Sequence, residues 1–336
     1  MSRSQEHHKF EGWIGHDNTR HMVWGSFEPK PWEETDIEIE VTHCGICSSD
    51  IHVLRSGWGP TTYPVVVGHE IIGIAVRVGE DAKTDIRVGD RVGVGAQSDA
   101  CLRRKPPATA LDWSDCKECA KGKENRCAHA STTYNGCFYS AAANGAKTMG
   151  GYARYNRCPS HFVFKIPDAL RSEHAAPMMC AGLTVYSALA SVPSSDIGGL
   201  EQHLEGRKIG VVGIGGLGHL AIQLARAMGA DYVVGISRGE TKRDDAGKLE
   251  GLVGSTLSWA LPDYGKLEVA VNELVVNGLT ISGSLIGSTA EMREMLRLVT
   301  EKGIRPWVEL RNMKDANQAI MDMEAGKAWY RLVLEA

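Results

Sequence analysis

No stretch of the 336 residues offers the roughly 18–20 uncharged apolar positions that a membrane span needs. A basic surplus is also missing: 37 Lys and Arg face 41 Asp and Glu, for a formal net charge of −4. Without a basic stripe the chain has no electrostatic footprint for nucleic acid or an anionic membrane. The opening residues, Met1-Ser2-Arg3-Ser4-Gln5-Glu6-His7-His8, lack the apolar segment of a secretion signal. The nine cysteines are therefore expected in a reducing cytoplasm, where clustered thiols read as metal ligands before disulfides. Internal repeats and low-complexity tracts are absent as well. What remains is a globular composition, 43% hydrophobic and 23% charged, of a length that suits about two domains.

Residues 35–55 and 62–95 alternate short Val/Ile runs with Gly and Asp, as in Ile37-Glu38-Ile39-Glu40-Val41. That texture predicts an irregular β-barrel-like unit. Residues 98–150 are polar and cysteine-bearing, and read as a lobe outside the core. From about Ser172 the pattern turns helical. It then gives a strand at Ile209-Gly210-Val211-Val212, a glycine turn, a helix from Gly218 to Met228 and a strand from Tyr232 to Ile236. This is the opening of a doubly wound α/β domain. Helices at Glu291 to Glu301 and Asp315 to Met323 return to the first domain.

Two sets of residues have metal-ligand chemistry. Cys47, His69, Glu70 and Cys180 are scattered, so only a fold can gather them. Thiolate and imidazole donors suit zinc, and so few strong ligands leave a coordination position open for Lewis-acid chemistry. Cys101, Cys116, Cys119 and Cys127 instead form C-x14-C-x2-C-x7-C, the ligand set of a closed structural zinc site. The competing reading is four reduced surface thiols, which leaves the polar segment with little to order it. Cys44, Cys137 and Cys158 stand outside both sets and read as packing residues.

Gly213-Ile214-Gly215-Gly216-Leu217-Gly218 is G-x-G-x-x-G between a strand and a helix, the context that lets backbone amides hold a pyrophosphate at the helix N-terminus. The second strand runs into Ser237-Arg238-Gly239-Glu240-Thr241-Lys242-Arg243. A hydroxyl and three cations there favour a ribose 2′-phosphate, hence NADPH over NADH. Alternatively the charges only solvate a helix start, a reading that Glu240 supports.

At these residues the sequence resembles the zinc-dependent medium-chain alcohol dehydrogenases, in particular the NADP-dependent cinnamyl-alcohol-dehydrogenase-like branch and its fungal members. The resemblance spans about residues 10–250 and 272–335. It is carried by Gly45-Ile46-Cys47, Trp58-Gly59, Gly68-His69-Glu70, Gly89-Asp90-Arg91-Val92-Gly93, Cys180-Ala181-Gly182-Leu183-Thr184 and Gly283-Ser284-Leu285-Ile286-Gly287. It implies a GroES-like catalytic domain over 1–180 with a structural-zinc lobe at 98–130, a Rossmann NADP-binding domain over 181–288, and a return to the catalytic domain over 289–336. It further implies that Cys47, His69 and Cys180 bind catalytic zinc with Glu70 as an alternate ligand. Ser49 and His52 would form a proton relay, with Asp50 steadying the zinc environment. Thr184 would touch the cofactor phosphates, as would the turn at Gly213, Gly215, Gly216, Leu217 and Gly218. Ser237, Arg238 and Lys242 would read the 2′-phosphate, and Trp58 would wall a site for aromatic or medium-chain aldehydes. Family precedent adds a homodimer, joined through a final strand near Leu279 to Ile286. The implied activity is hydride transfer between NADPH and an aldehyde, with no nucleic acid or membrane partner.

The chain departs from the family pattern twice. Fourteen residues separate Cys101 from Cys116, where the family has two; a longer loop costs only logarithmically more to close. More seriously, the interval from Ser237 to Leu285 is too short for the three further strands and helices of a doubly wound sheet. The cofactor domain therefore reads as truncated, and a zinc-binding pseudoenzyme without turnover is the alternative function.

Overall fold

The computed structural model describes residues 8–19, 21–104, 115–140, 142–192, 202–237, 242–248, 252–255, 271–278 and 280–336. It divides into two compact units, one of residues 1–183 and 286–336 and the other of residues 184–285.

The first unit is built on the strand Asp36–Gly45, whose alternating Ile37, Ile39 and Val41 are buried. The first half of this strand pairs with Tyr155–Pro159 and its second half with Arg331–Glu335, while Glu70–Val78 runs antiparallel along the other edge. Arg91–Val94 and Val163–Lys165 continue the sheet on the Glu70–Val78 side, and Val308–Asn312 ends it beyond Arg331–Glu335, making seven strands. The expected barrel is thus an open, bulged mixed sheet flanked by the three-stranded sheet of Met22–Ser26, Glu11–Gly15 and Val65–Val66. Among the described residues no ring closes.

Two features carry the sheet to the candidate site. Gly45 pairs with Glu70, and a Cβ on Gly45 would lie 1.9 Å from the Glu70 carboxylate, so only glycine lets that side chain seat there. Past the strand end, the helix Ser48–Leu54 begins at Cys47, whose amide donates to Asp50 Oδ2 at 2.8 Å. A carboxylate on the first turn satisfies one of the orphan amides of the helix start. The C-terminal return folds as strand Val308–Asn312, helix Ala316–Glu324 and strand Arg331–Glu335. Asn317 fastens it to the N-terminal hairpin by accepting from the Met22 amide at 2.9 Å and donating to the Met22 carbonyl at 2.8 Å.

The described residues of 98–150 do not form the lobe outside the core that their polarity predicts. Ser98, Asp99, Cys101, Thr133, Tyr134 and Phe138 are all buried, and Gln97–Asp99 pairs with Ser131–Thr132. Polarity misled because these groups are satisfied internally: Ser98 Oγ donates to the Thr132 carbonyl and Thr133 Oγ1 to the Gly95 carbonyl.

In the second unit the strands Lys208–Val212, Tyr232–Ser237 and Leu252–Ser255 form a parallel sheet in that order. The helix Gly218–Ala227 links the first two strands and buries Leu220, Ile222 and Leu224. The expected final strand is not formed: residues 280–285 belong to no strand, with Ile281 and Leu285 exposed. A strand needs a paired neighbour, and among the described residues this sheet has three members. Arg238, offered above as a phosphate reader, and Leu279 lie outside the described residues.

Candidate active site and metal centres

Strand end, helix start and a single π-helical turn converge in the first unit. Cys47 caps the helix Ser48–Leu54, His69 and Glu70 lead into the strand Glu70–Val78, and Cys180 lies on the π-turn Met178–Gly182. Such turns interrupt the α-helical ladder most often at functional sites. One ligand atom from each of Cys47, His69, Glu70 and Cys180 lies within 4.8 Å of the others, and all four residues are buried.

His69 Nε2 and Glu70 Oε2 are buried without a hydrogen-bond partner among the described residues, an expensive arrangement unless a cation supplies the partner. Two thiols, an imidazole and a carboxylate fit zinc. Electrostatics point the same way. Burial opposes a charge on His69, but the neighbouring Cys47 and Asp50 outweigh it and push its pKa up to about 9. The Cys180 thiol beside it, opposed by burial, holds Cys47 well below its usual range. Burial raises Glu70 to about 7 against the pull of Arg331. Three acidic groups, Cys47, Asp50 and Glu70, share this dry space, and a dication is a favourable partner for them.

The surrounding shell is hydrogen-bonded. Asp50 is fully buried and accepts from the Cys47 amide, from the Gly68 amide at 3.1 Å and from Tyr152 Oη at 3.0 Å. Tyr134 Oη lies 2.8 Å from His69 Nδ1. The Arg331 guanidinium donates to Glu70 Oε1. Tyr134, Tyr152 and Arg331 are the site residues that sequence reasoning missed, since a lone tyrosine or a C-terminal arginine carries no local signature. Ser49 Oγ lies 3.5 Å from Cys47 Sγ. His52 sits one turn further along the same helix and stacks on Trp58 at 4.4 Å; Trp58 is about half exposed.

The second centre gathers Cys101, Cys116, Cys119 and Cys127, with all four sulfurs within 4.8 Å. The Cys101–Cys119 and Cys116–Cys127 pairs lie at 3.5 and 3.9 Å, beyond the length of a disulfide. The Cys119 amide and neighbouring thiols bring Cys116 down to about 7. Cys44 and Cys158 are buried packing residues, as expected, whereas Cys137 is only half-buried.

In the second unit, Gly213 adopts φ +90° and a Cβ on Gly218 would lie 1.8 Å from the Gly213 carbonyl. Gly215 faces open space, and together these glycines form the cradle that a pyrophosphate needs. Ser237 ends the second strand, and Lys242 Nζ donates to the Ile214 carbonyl at 2.7 Å, across the turn. Thr184 is half-buried on the helix Leu183–Ala190.

Known proteins match this arrangement. Residues 33–168 fit the alcohol dehydrogenase GroES-like domain. A Saccharomyces cerevisiae NADP-dependent alcohol dehydrogenase 6 is 32% identical, over 97% of this chain and 96% of that protein. The chain belongs to the medium-chain alcohol dehydrogenases. Within them it falls in the cinnamyl-alcohol-dehydrogenase-like branch: an Arabidopsis thaliana cinnamyl alcohol dehydrogenase 8 is 32% identical over 96% of this chain and 94% of its own length. A solved Sorghum bicolor cinnamyl alcohol dehydrogenase superposes with TM-score 0.83 at 31% identity, covering 97% of this chain and 98% of that one. A Helicobacter pylori enzyme of this kind, complexed with NADP(H), gives 0.82 at 27% identity over the same shares. This medium-chain dehydrogenase is accordingly an oxidoreductase with GroES-like and Rossmann parts, and its kinship opposes the pseudoenzyme alternative. It is also short for its family. The yeast alignment runs over 373 positions, whereas 97% of 336 residues is about 326, so about 47 positions of that relative have no counterpart here.

Proposed function

We propose that the protein is an NADPH-dependent aldehyde reductase, with the reverse alcohol oxidation, acting on aromatic or medium-chain aldehydes. The observation that carries this reading is the buried cluster of Cys47, His69, Glu70 and Cys180 with its unpartnered donor atoms. Cys47, His69 and Cys180 would hold a catalytic zinc, with Glu70 as an alternate ligand, and the four-cysteine lobe a structural one. When bound, zinc supplies Lewis acidity to a carbonyl oxygen and NADPH supplies the hydride.

The chain's own groups do the rest. The Ser49 hydroxyl, beside Cys47, donates a proton to the product oxygen, and His52 on the next turn replenishes it from solvent. Asp50 keeps Cys47 and the Gly68 amide in place through the hydrogen bonds above. The Gly213–Gly218 turn and Thr184 receive the cofactor phosphates, and Ser237, Arg238 and Lys242 read the 2′-phosphate. Trp58 walls the aldehyde against His52. We place the missing positions between Ser237 and Leu285, and propose cytoplasmic action and a homodimer. No helix among the described residues is long and apolar enough to cross a membrane.

The test is cofactor consumption by zinc-loaded protein with cinnamaldehyde or benzaldehyde, NADPH and NADH side by side. Turnover preferring NADPH is expected. Two bound zinc ions with neither turnover nor NADPH binding would sink the proposal and leave the shortened cofactor unit as the reason.

A further inference from the structure

Cys47 opens a helix and His69 precedes a strand, so the spacing between these two side chains has to be set by a third group. Asp50 sets it with its carboxylate: Oδ2 accepts from the Cys47 amide at 2.8 Å and Oδ1 from the Gly68 amide at 3.1 Å. The imidazole itself is out of reach, since Oδ1 lies 3.8 Å from His69 Nδ1, beyond hydrogen-bond length. The hold on His69 therefore runs through the backbone of Gly68. A carboxylate that grips two backbones is only as good as its orientation, and the terminal torsion of an aspartate is soft. Tyr152 supplies the third donor, its Oη donating to Asp50 Oδ2 at 3.0 Å. Both residues are 0% exposed, so bulk water does not stand in for the phenol.

Tyr152 is itself anchored to the segment that presents His69. The consecutive amides of Gly150, Gly151 and Tyr152 donate to the carbonyls of Val66, Gly68 and Val67 at 2.7, 2.8 and 3.0 Å. Gly68 is thus held by its amide on Asp50 and by its carbonyl on Gly151. The approach is close enough to need glycine: a Cβ on Gly150 would lie 2.4 Å from the Val67 carbonyl oxygen, and one on Gly68, at φ +98°, 2.5 Å from the Tyr152 ring. We propose that Tyr152 is a positioning residue of the mixed cluster: its hydroxyl pins the Asp50 carboxylate and thereby sets Cys47 and His69 relative to one another. The inference rests on the reading that Cys47, His69 and Cys180 hold zinc.

Tyr152→Phe keeps the ring over Gly68 and removes only the hydroxyl. Zinc-loaded wild type and variant are titrated with a chelator, the four-cysteine lobe serving as internal reference. The variant is expected to lose the zinc of the mixed site about tenfold more readily while the lobe keeps its own, and its cobalt-substituted form to show a shifted visible spectrum. Equal affinity with an unchanged cobalt spectrum overturns the role of Tyr152 and leaves the zinc reading standing. A wild type that holds zinc only in the lobe overturns both. In an Asp50→Asn background, adding Tyr152→Phe should cost no further affinity; a second tenfold loss means that Tyr152 acts apart from Asp50 and overturns the proposal. Replacing Tyr152 by 4-aminophenylalanine restores a donor on the same ring, and reads the hydrogen bond even where Tyr152→Phe does not fold. Wild-type zinc affinity and cobalt spectrum are expected, and a tenfold loss at the mixed site overturns the proposal.

Discussion

The two ligand clusters share a size and little else. The lobe draws Cys101, Cys116, Cys119 and Cys127 from one short stretch, uses a single donor type, and leaves Cys116 and Cys119 half-buried. The other cluster draws on three distant stretches, mixes thiols with an imidazole and a carboxylate, and is buried throughout. Its ligands are also held from behind, by Tyr134 on His69 and Arg331 on Glu70. A uniform set of four sulfurs fills a tetrahedron and orders its loop. A mixed set under electrostatic tension can trade one ligand for another, which chemistry requires. The comparison teaches that the difference between a staple and a reactive centre lies in the surroundings as much as in the donors.

The sharpest way to break that contrast is His69→Ala. Removing a ligand of the mixed site should lower kcat/KM by about a thousandfold or more, the scale of several kcal/mol of Lewis-acid stabilisation, while the lobe keeps its zinc by metal analysis. A variant with near-wild-type kcat/KM would erase the distinction. Next is Arg331→Met, which leaves Glu70 without its guanidinium in a dry site. Breaking a buried pair costs about 3–5 kcal/mol, read as a lower urea midpoint at unchanged slope. Cys119→Ser should reverse the pattern seen for His69: one zinc lost and a melting temperature lower by roughly 5 °C, with kcat per folded molecule held within about twofold.

The smallest effect concerns how the lobe is seated. Glu124 Oε1 meets His161 Nε2 at 3.0 Å and Thr289 Oγ1 at 3.2 Å, tying the lobe to the helix Thr289–Glu301. Burial alone would raise its pKa, but these partners hold it at about 2 against an ordinary 4.5. A carboxyl depressed in the folded state stabilises fully above its unfolded value and loses that contribution as pH falls through its folded one. Melting temperature should therefore decline between pH 4.5 and about 2 more steeply in wild type than in Glu124→Gln. Parallel profiles would show that the tie contributes nothing.

Much of this molecule was legible beforehand where the governing interactions are local. Strand, glycine turn and helix around Gly213 follow from periodicity and from the steric needs of Gly213 and Gly218, and the four-cysteine spacing points to one tetrahedral site. The polar stretch 98–150 is more buried than it reads because residue polarity says nothing about internal partners: Ser98 and Thr133 are buried with theirs. The final strand near residue 285 is not formed because its motif is present while, among the described residues, it has no pairing neighbour.

By itself the sequence determined the donor types, the glycine turn and the family, since each depends on residues close in the chain or on ordered motifs. Only the tertiary structure decided what stands behind the ligands. Tyr134 reaches His69 across 65 positions, Tyr152 reaches Asp50 across 102, and Arg331 reaches Glu70 across 261. No spacing rule extends over such separations, because the folding of the chain, and not proximity along it, brings these side chains to one buried point.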